Sequence, residues 1–274
     1  WAHGFNFAGR KFIYCHSPAR WLYLSDQYLG EKSTGPVPLL LKTLRPALML
    51  WDHWAAHRSA VYVANASVIK KRIENVYGKK DVPIFFPPHS VDAAAPVEPI
   101  PGLEEFTESD DYFLIVSRLL PYKNVDKAIE ACNELGKKLL VIGRGPEKEH
   151  LEALAGPTIR IASGVSDAQL RYAYRHCLAL LAISYEDFGI TPLEAGASGK
   201  AVIAYRAGGF LDTIQEGKTG MFINQPTVEQ LVEALKAFNP DDWDADYIRE
   251  HVDGFSEARF ISRLKTYVQA LPED

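Results

Sequence analysis

Leu178-Ala179-Leu180-Leu181-Ala182-Ile183-Ser184-Tyr185-Glu186-Asp187-Phe188-Gly189-Ile190-Thr191-Pro192-Leu193-Glu194-Ala195-Gly196-Ala197-Ser198-Gly199 passes from an unbroken apolar run through a polar turn into a short helical pattern. The run 178–183 reads as a buried parallel strand, because strands covered on both faces lose the alternation of half-exposed ones. Pro192 suits the first helical position, and Gly199 suits the left-handed residue that closes a helix over 192–198. Glu186 and Glu194 therefore straddle a strand-to-helix turn. In open α/β sheets ligands bind outside the carboxyl ends of strands, and helix-start N–H groups attract phosphate. One acid on each side of such a turn fits a phosphorylated sugar compound. Thr191-x-x-Glu194 also fits a capping box in which Glu194 only satisfies orphan N–H groups. That reading leaves Glu186, at a strand end with no capping duty, unexplained.

Around this turn, strand and helix patterns alternate from about residue 110. Strands are expected at 112–117, 138–142, 158–162, 178–183, 201–205 and 220–223, with helices at 125–135, 147–155, 167–177 and 227–238 between and after them. Such alternation predicts a parallel sheet wound on both faces, a Rossmann-like domain. Upstream the same grammar recurs with three strand candidates, 11–15, 61–64 and 83–86, and helical patterns near 18–29, 37–57 and 67–77. The Pro- and Ala-rich stretch from Pro87-Pro88 to Pro101-Gly102 reads as a linker. The expected division is a partial amino-terminal Rossmann-like domain with linker over 1–105, a ligand-binding Rossmann-like domain over 106–254, and a carboxy-terminal helix in 255–274 packing back toward the amino-terminal part.

The 274 residues suffice for two ordinary domains. No apolar run approaches the roughly 18 to 20 residues that span a bilayer, and no signal-peptide pattern opens the sequence. Cys15, Cys132 and Cys177 are widely spaced, without a C-x-x-C pair, so neither a disulfide framework nor a zinc site is indicated. A cytoplasmic protein is expected. Residues 1–105 carry 12 Lys and Arg against 9 Asp and Glu, and the remainder 18 against 26, within an overall charge of −5. The small basic excess suits either an anionic acceptor or an ordinary solvated face, and gives no support to nucleic-acid binding.

Four further features sit near strand ends. Arg118 and Lys123, in Ser117-Arg118-Leu119-Leu120-Pro121-Tyr122-Lys123, are either solvated loop cations or a pair that neutralises two phosphates. Gly143-Arg144-Gly145 and Gly208-Gly209 let a backbone approach a ligand or merely turn. His16, in Cys15-His16-Ser17-Pro18, either faces a cleft or is a satisfied core histidine.

Taken together and in this order, His16-Ser17-Pro18, Ala64-Asn65-Ala66-Ser67, Pro87-Pro88, Arg118 with Lys123, Gly143-x-Gly145, Gly164-Val165-Ser166-Asp167 and the Glu186/Glu194 motif resemble the retaining glycosyltransferases of the two-Rossmann GT-B fold, sequence family four. The runs Glu186 to Ile190 and Ala204 to Gly209 look most like bacterial or archaeal mannosyltransferases. The resemblance implies that Glu194 holds the donor ribose and Glu186 the donor sugar. It places the amides of Phe188, Gly189 and Ile190, with Arg118 and Lys123, on the diphosphate. Gly143 would bind the donor, the backbone near Val165 would border its base, and His16 would reach the transferred sugar. Neither a cofactor nor a metal is expected, since no D-x-D motif marks the site. The implied partners are a nucleotide sugar, with a lean to GDP-mannose, and a glycan or lipid-linked acceptor. Two alternatives stay open: a nucleotide-sugar 2-epimerase, and a donor-binding module or half of a split enzyme. The family ordinarily places a strand and a Gly-rich loop well upstream of the segment matching His16, so an incomplete amino-terminal domain is expected here. The apolar 37–57 segment, with Leu39 to Leu41, Leu44, Leu48, Met49, Leu50 and Trp51, packs in the amino-terminal core or lies peripherally on the inner membrane face.

Overall fold

Apolar runs alternating with amphipathic helices build two compact units, Trp1–Phe86 and Pro87–Asp274, in the computed structural model, which describes residues 4, 11–23, 36–58, 60–92 and 94–271. In the first unit β1 (Lys11–Cys15) pairs in parallel with β2 (Ala60–Ala64), from Lys11 opposite Ala60 to Cys15 opposite Ala64. The helices Pro36–His57 and Ser67–Tyr77 follow β1 and β2 respectively. The helical pattern near 18–29 is described only to residue 23, as the short helix Arg20–Tyr23; its remainder lies outside the described residues.

The expected strand 83–86 is reduced to a single bridge, Ala64 to Ile84. Pro83, Pro87 and Pro88 withhold N–H groups, so pairing is limited to Ala64 N–H donating to Pro83 O and Phe85 N–H to Ala64 O, both at 2.9 Å. Helix Pro36–His57 is anchored by Asp52, which is fully buried and accepts hydrogen bonds from the hydroxyls of Tyr23 (2.8 Å) and Tyr77 (2.9 Å). Ala55 and Ala56 are buried with it, but Leu44, Leu50, Trp51 and Trp54 are exposed. The apolar content of this helix therefore does not all enter the core.

The second unit holds a six-stranded parallel sheet: β3 (Tyr112–Val116), β4 (Lys138–Ile142), β5 (Ile159–Ala162), β6 (Leu180–Ala182), β7 (Val202–Tyr205) and β8 (Gly220–Ile223), in the order β5-β4-β3-β6-β7-β8. The chain starts in the middle, winds out to β5, returns beside β3 as β6 and winds out the other way. The crevice between β3 and β6 is therefore the topological switch point, where doubly wound sheets bind ligands. Side-chain alternation divides the core in two. Phe113, Ile115, Leu139, Val141, Leu181 and Ile203 pack with helices Val125–Leu135 and Val228–Ala237 on one face. On the other face Tyr112, Leu114, Leu140, Leu180 and Val202 pack with Tyr174, Ala195 and Phe210.

The Pro- and Ala-rich stretch is not a free tether, since its backbone is bound to the second unit. Arg171 donates to Pro96 O at 2.9 and 3.1 Å, Glu98 N–H to Ala168 O, and His89 N–H to Phe255 O. A helix absent from the sequence reading, Ala245–Asp253, is capped by Asp244 and buries Ile248 and Val252. It lies so close to the helix Thr191–Ala197 that a Cβ on Gly196 would stand 2.5 Å from the Val252 side chain.

Candidate functional site

The loops leaving β3 and β6 meet at the switch point. After β3 the chain runs through Arg118 into a single 3₁₀ turn, Pro121–Lys123, and Asn124 then takes a left-handed conformation (φ 55°) before the next helix. Asn tolerates that region better than most residues, and its side-chain amide donates to Ile183 O at 2.8 Å, tying the first loop to the end of β6. On this tie the Lys123 ammonium forms an ion pair with the Glu186 carboxylate, and Ser184 Oγ donates to the same oxygen at 2.7 Å. The two side chains keep only 11% and 25% of their exposure. A cation from the β3 loop and an acid from the β6 loop thus neutralise each other across the crevice. Arg118 is exposed, its guanidinium donating to the Tyr122 hydroxyl at 3.2 Å.

Glycines let these loops close on one another. Gly208 has φ 65°, and a Cβ there would stand 2.1 Å from Glu186 O; Gly209 N–H donates to the same carbonyl at 2.9 Å. The β7 loop therefore holds the backbone of Glu186 by close approach. Gly143 does the same for the β3 loop, since a Cβ there would lie 1.9 Å from Ser117 O, and Leu119 N–H donates to Arg144 O at 2.8 Å.

Glu194 does not cap its helix. Ile190 is the N-cap residue, with helical φ and ψ and no side-chain cap bond, so Thr191 falls inside the helix and the capping-box reading fails. Glu194 Oε2 instead accepts the Tyr174 hydroxyl at 2.7 Å. Burial pushes the Glu194 carboxyl above its usual range, and the Tyr174 hydrogen bond pulls it part of the way back. The capping box in this region is at Ser166 and Gln169, opening the helix Asp167–His176. Gly199 closes the helix Thr191–Ala197 with φ 73°, as its position required.

Glu186 is the common partner here: its carboxylate meets Lys123 and its backbone carbonyl meets Gly208-Gly209. Val165 is half-buried against the core beyond β5. His16 belongs to the first unit, where it is exposed at the end of β1, 3.3 Å from the Asn65 side chain and edge-on to Tyr14. Ser184, Asn124 and Tyr174 were missed by sequence reasoning. Asn124 follows Lys123 directly, and an Asn before a helical run is a signal that was available.

A parallel sheet with a switch-point crevice of this kind is shared with known proteins. The family model for glycosyl transferases group 1 matches residues 99–252, more than half of the chain, and the chain belongs to that family. It is 33% identical over 133 residues to a glycogen synthase of Pseudomonas syringae pv. syringae, covering 45% of this chain and 27% of that protein. It is 30% identical over 138 residues to a GDP-mannose-dependent alpha-(1-6)-phosphatidylinositol monomannoside mannosyltransferase of Mycobacterium tuberculosis, covering 44% and 36% respectively. The matches thus span about a quarter to a third of these curated relatives. Among solved structures, a sucrose-phosphate synthase from Thermosynechococcus elongatus superposes with a TM-score of 0.74 over 98% of this chain and 69% of its own, at 17% identity. At that identity the likeness is one of fold, in keeping with the expected GT-B class.

Proposed function

We propose that this protein transfers a sugar from a nucleotide-diphosphate donor to a hydroxyl acceptor, with retention at the anomeric carbon and without a metal. The observation that carries the reading is the Lys123–Glu186 pair, held across the β3/β6 crevice beside the start of the helix Thr191–Ala197. A bound donor replaces this pairing. Its diphosphate takes the Lys123 ammonium, with Arg118 and the turn amides from Phe188 to Ile190, while Glu186 turns to the sugar hydroxyls and Glu194 to the ribose. Gly143 and Val165 border the donor, and His16 is assigned to the transferred sugar. The acceptor oxygen bonds to the anomeric carbon as the bond to the diphosphate oxygen breaks, and the acceptor proton passes to that leaving oxygen. Negative charge grows on the diphosphate during this step, so preorganised cations and N–H groups lower the barrier. The mannosyltransferase likeness supports GDP-mannose as donor.

Calorimetry with GDP, UDP, ADP and their sugars in EDTA tests the metal-free clamp. At least one diphosphate is expected to bind there with undiminished affinity, and binding that appears only with magnesium or manganese contradicts the reading. NMR of the product distinguishes retention at a new glycosidic bond from release of a free epimer.

We further propose a lipid-linked acceptor met at an anionic membrane surface. Residues 1–86 carry 12 Lys and Arg against 5 Asp and Glu, whereas residues 87–274 carry 18 against 30. On the basic unit, helix Pro36–His57 exposes Leu44, Leu50, Trp51 and Trp54, with the Arg58 guanidinium 4.6 Å above the Trp54 ring. Aromatic side chains beside cations suit the headgroup level of a bilayer. Among the described residues no helix is long and apolar enough to cross a membrane. Cosedimentation with phosphatidylglycerol-containing vesicles is expected, falling with salt and in a Leu50→Ser/Trp54→Ser variant; equal binding to neutral vesicles or by the variant rejects the surface.

A further inference from the structure

The site described above explains Glu194 but not the residue that holds it. Tyr174 lies on the helix Asp167–His176, wholly buried in the core face that also contains Ala195 and Phe210. Its ring is therefore fixed by packing, and its hydroxyl reaches Glu194 Oε2 at 2.7 Å. Burial and the nearby carboxylate both oppose ionisation of this phenol, whose pKa lies well above the ordinary range, so it remains a proton donor. A carboxylate with one oxygen bound to a rigid donor loses rotational freedom and keeps its other oxygen for a second partner. Glu194 has no capping duty that would use that oxygen, because the helix Thr191–Ala197 has no side-chain cap bond.

We propose that Tyr174 is a positioning residue for ligand recognition, its hydroxyl orienting the Glu194 carboxylate so that Oε1 receives the vicinal hydroxyls of a nucleotide ribose. This rests on the reading of Glu194 as the ribose-holding acid. The consequence is specific. Removing the Tyr174 hydroxyl weakens ligands that carry the diol and spares ligands that lack it, and it acts only while Glu194 is present. A residue that merely fills the core acts on neither condition.

The test is a double-mutant cycle read by calorimetry with GDP, UDP and ADP and with their 2′,3′-dideoxy counterparts. Tyr174→Phe is expected to weaken the best-bound ribose nucleotide about tenfold, within the range for a hydrogen bond to a charged group. The same variant is expected to leave the dideoxy ligand within about twofold, and to add nothing when combined with Glu194→Ala. Equal losses on both ligands, or a further loss in the Glu194→Ala background, show a packing role and overturn the proposal. If Glu194→Ala weakens the ribose nucleotide and Tyr174→Phe does not, the Tyr174 assignment falls alone. If Glu194→Ala has no effect, or no nucleotide binds, the reading of Glu194 falls and takes this proposal with it. The ratio of ribose to dideoxy affinity belongs to the folded molecules, so it reports the role even where Tyr174→Phe lowers Tm.

Discussion

Gly208→Ala is expected to remove about 2–4 kcal/mol of stability and at least about 100-fold of turnover, although it adds one methyl group outside the ion pair. Two effects combine. The residue sits at φ 65°, where an L side chain costs roughly 1–2 kcal/mol. Its Cβ would also stand 2.1 Å from Glu186 O, a contact that only movement of backbone can relieve. That movement breaks the bond from Gly209 N–H to the same carbonyl and displaces the acid that meets Lys123. Gly217→Ala separates the two effects, for Gly217 has φ 74° but nothing within 4 Å of its would-be Cβ. It should lower Tm through strain alone and leave turnover intact. Thermal melting and initial rates on both variants decide the matter. If Gly208→Ala behaves like Gly217→Ala, the β7 loop does not hold Glu186 in place.

Much of this arrangement is legible in the chain because its signals are local. The runs 112–116 and 139–142 are apolar and almost wholly buried, so composition and length identify them as central strands. Gly199 marked the end of its helix because a left-handed closing residue favours glycine. The segment 83–86 misled, since its aromatic pair reads as strand while the flanking prolines limit it to one bridge. The Thr191-x-x-Glu194 pattern misled in another way. A capping box needs a non-helical residue at its first position, and here the N-cap falls one residue earlier, at Ile190.

What the sequence could not show is pairing across the fold. Lys123 and Glu186 are 63 residues apart, and Tyr174 and Glu194 are 20 apart on separate elements. Lys123, Glu186 and Glu194 are legible as chemical types near strand ends or a helix start, whereas nothing local singles out Tyr174, and each partner is set by the packing of separate elements. The switch point brings β3 beside β6 and so makes a loop cation, Lys123, into half of an ion pair. The helix Ala245–Asp253 was missed because it has only two buried positions, Ile248 and Val252, amid charged residues.

The two glutamates should therefore separate cleanly by ligand. Glu194→Ala is expected to weaken free nucleoside diphosphate by about 1–3 kcal/mol, the cost of losing a charged hydrogen-bonding partner, because ribose is common to donor and product. It also leaves the buried Tyr174 hydroxyl without its acceptor, so some loss of stability accompanies it for a reason unrelated to capping. Glu186→Ala acts differently. It releases Lys123 from its carboxylate, so diphosphate affinity is expected to stay level or rise, while the intact sugar donor loses a partner and turnover falls about 100-fold. Calorimetry with the diphosphate and with its sugar, beside initial rates, resolves the pattern. Weaker diphosphate binding in Glu186→Ala would place that acid on the nucleotide rather than the sugar. Unchanged diphosphate binding in Glu194→Ala, with lowered Tm, would make Glu194 a structural acceptor for Tyr174 and end its assignment to the ribose.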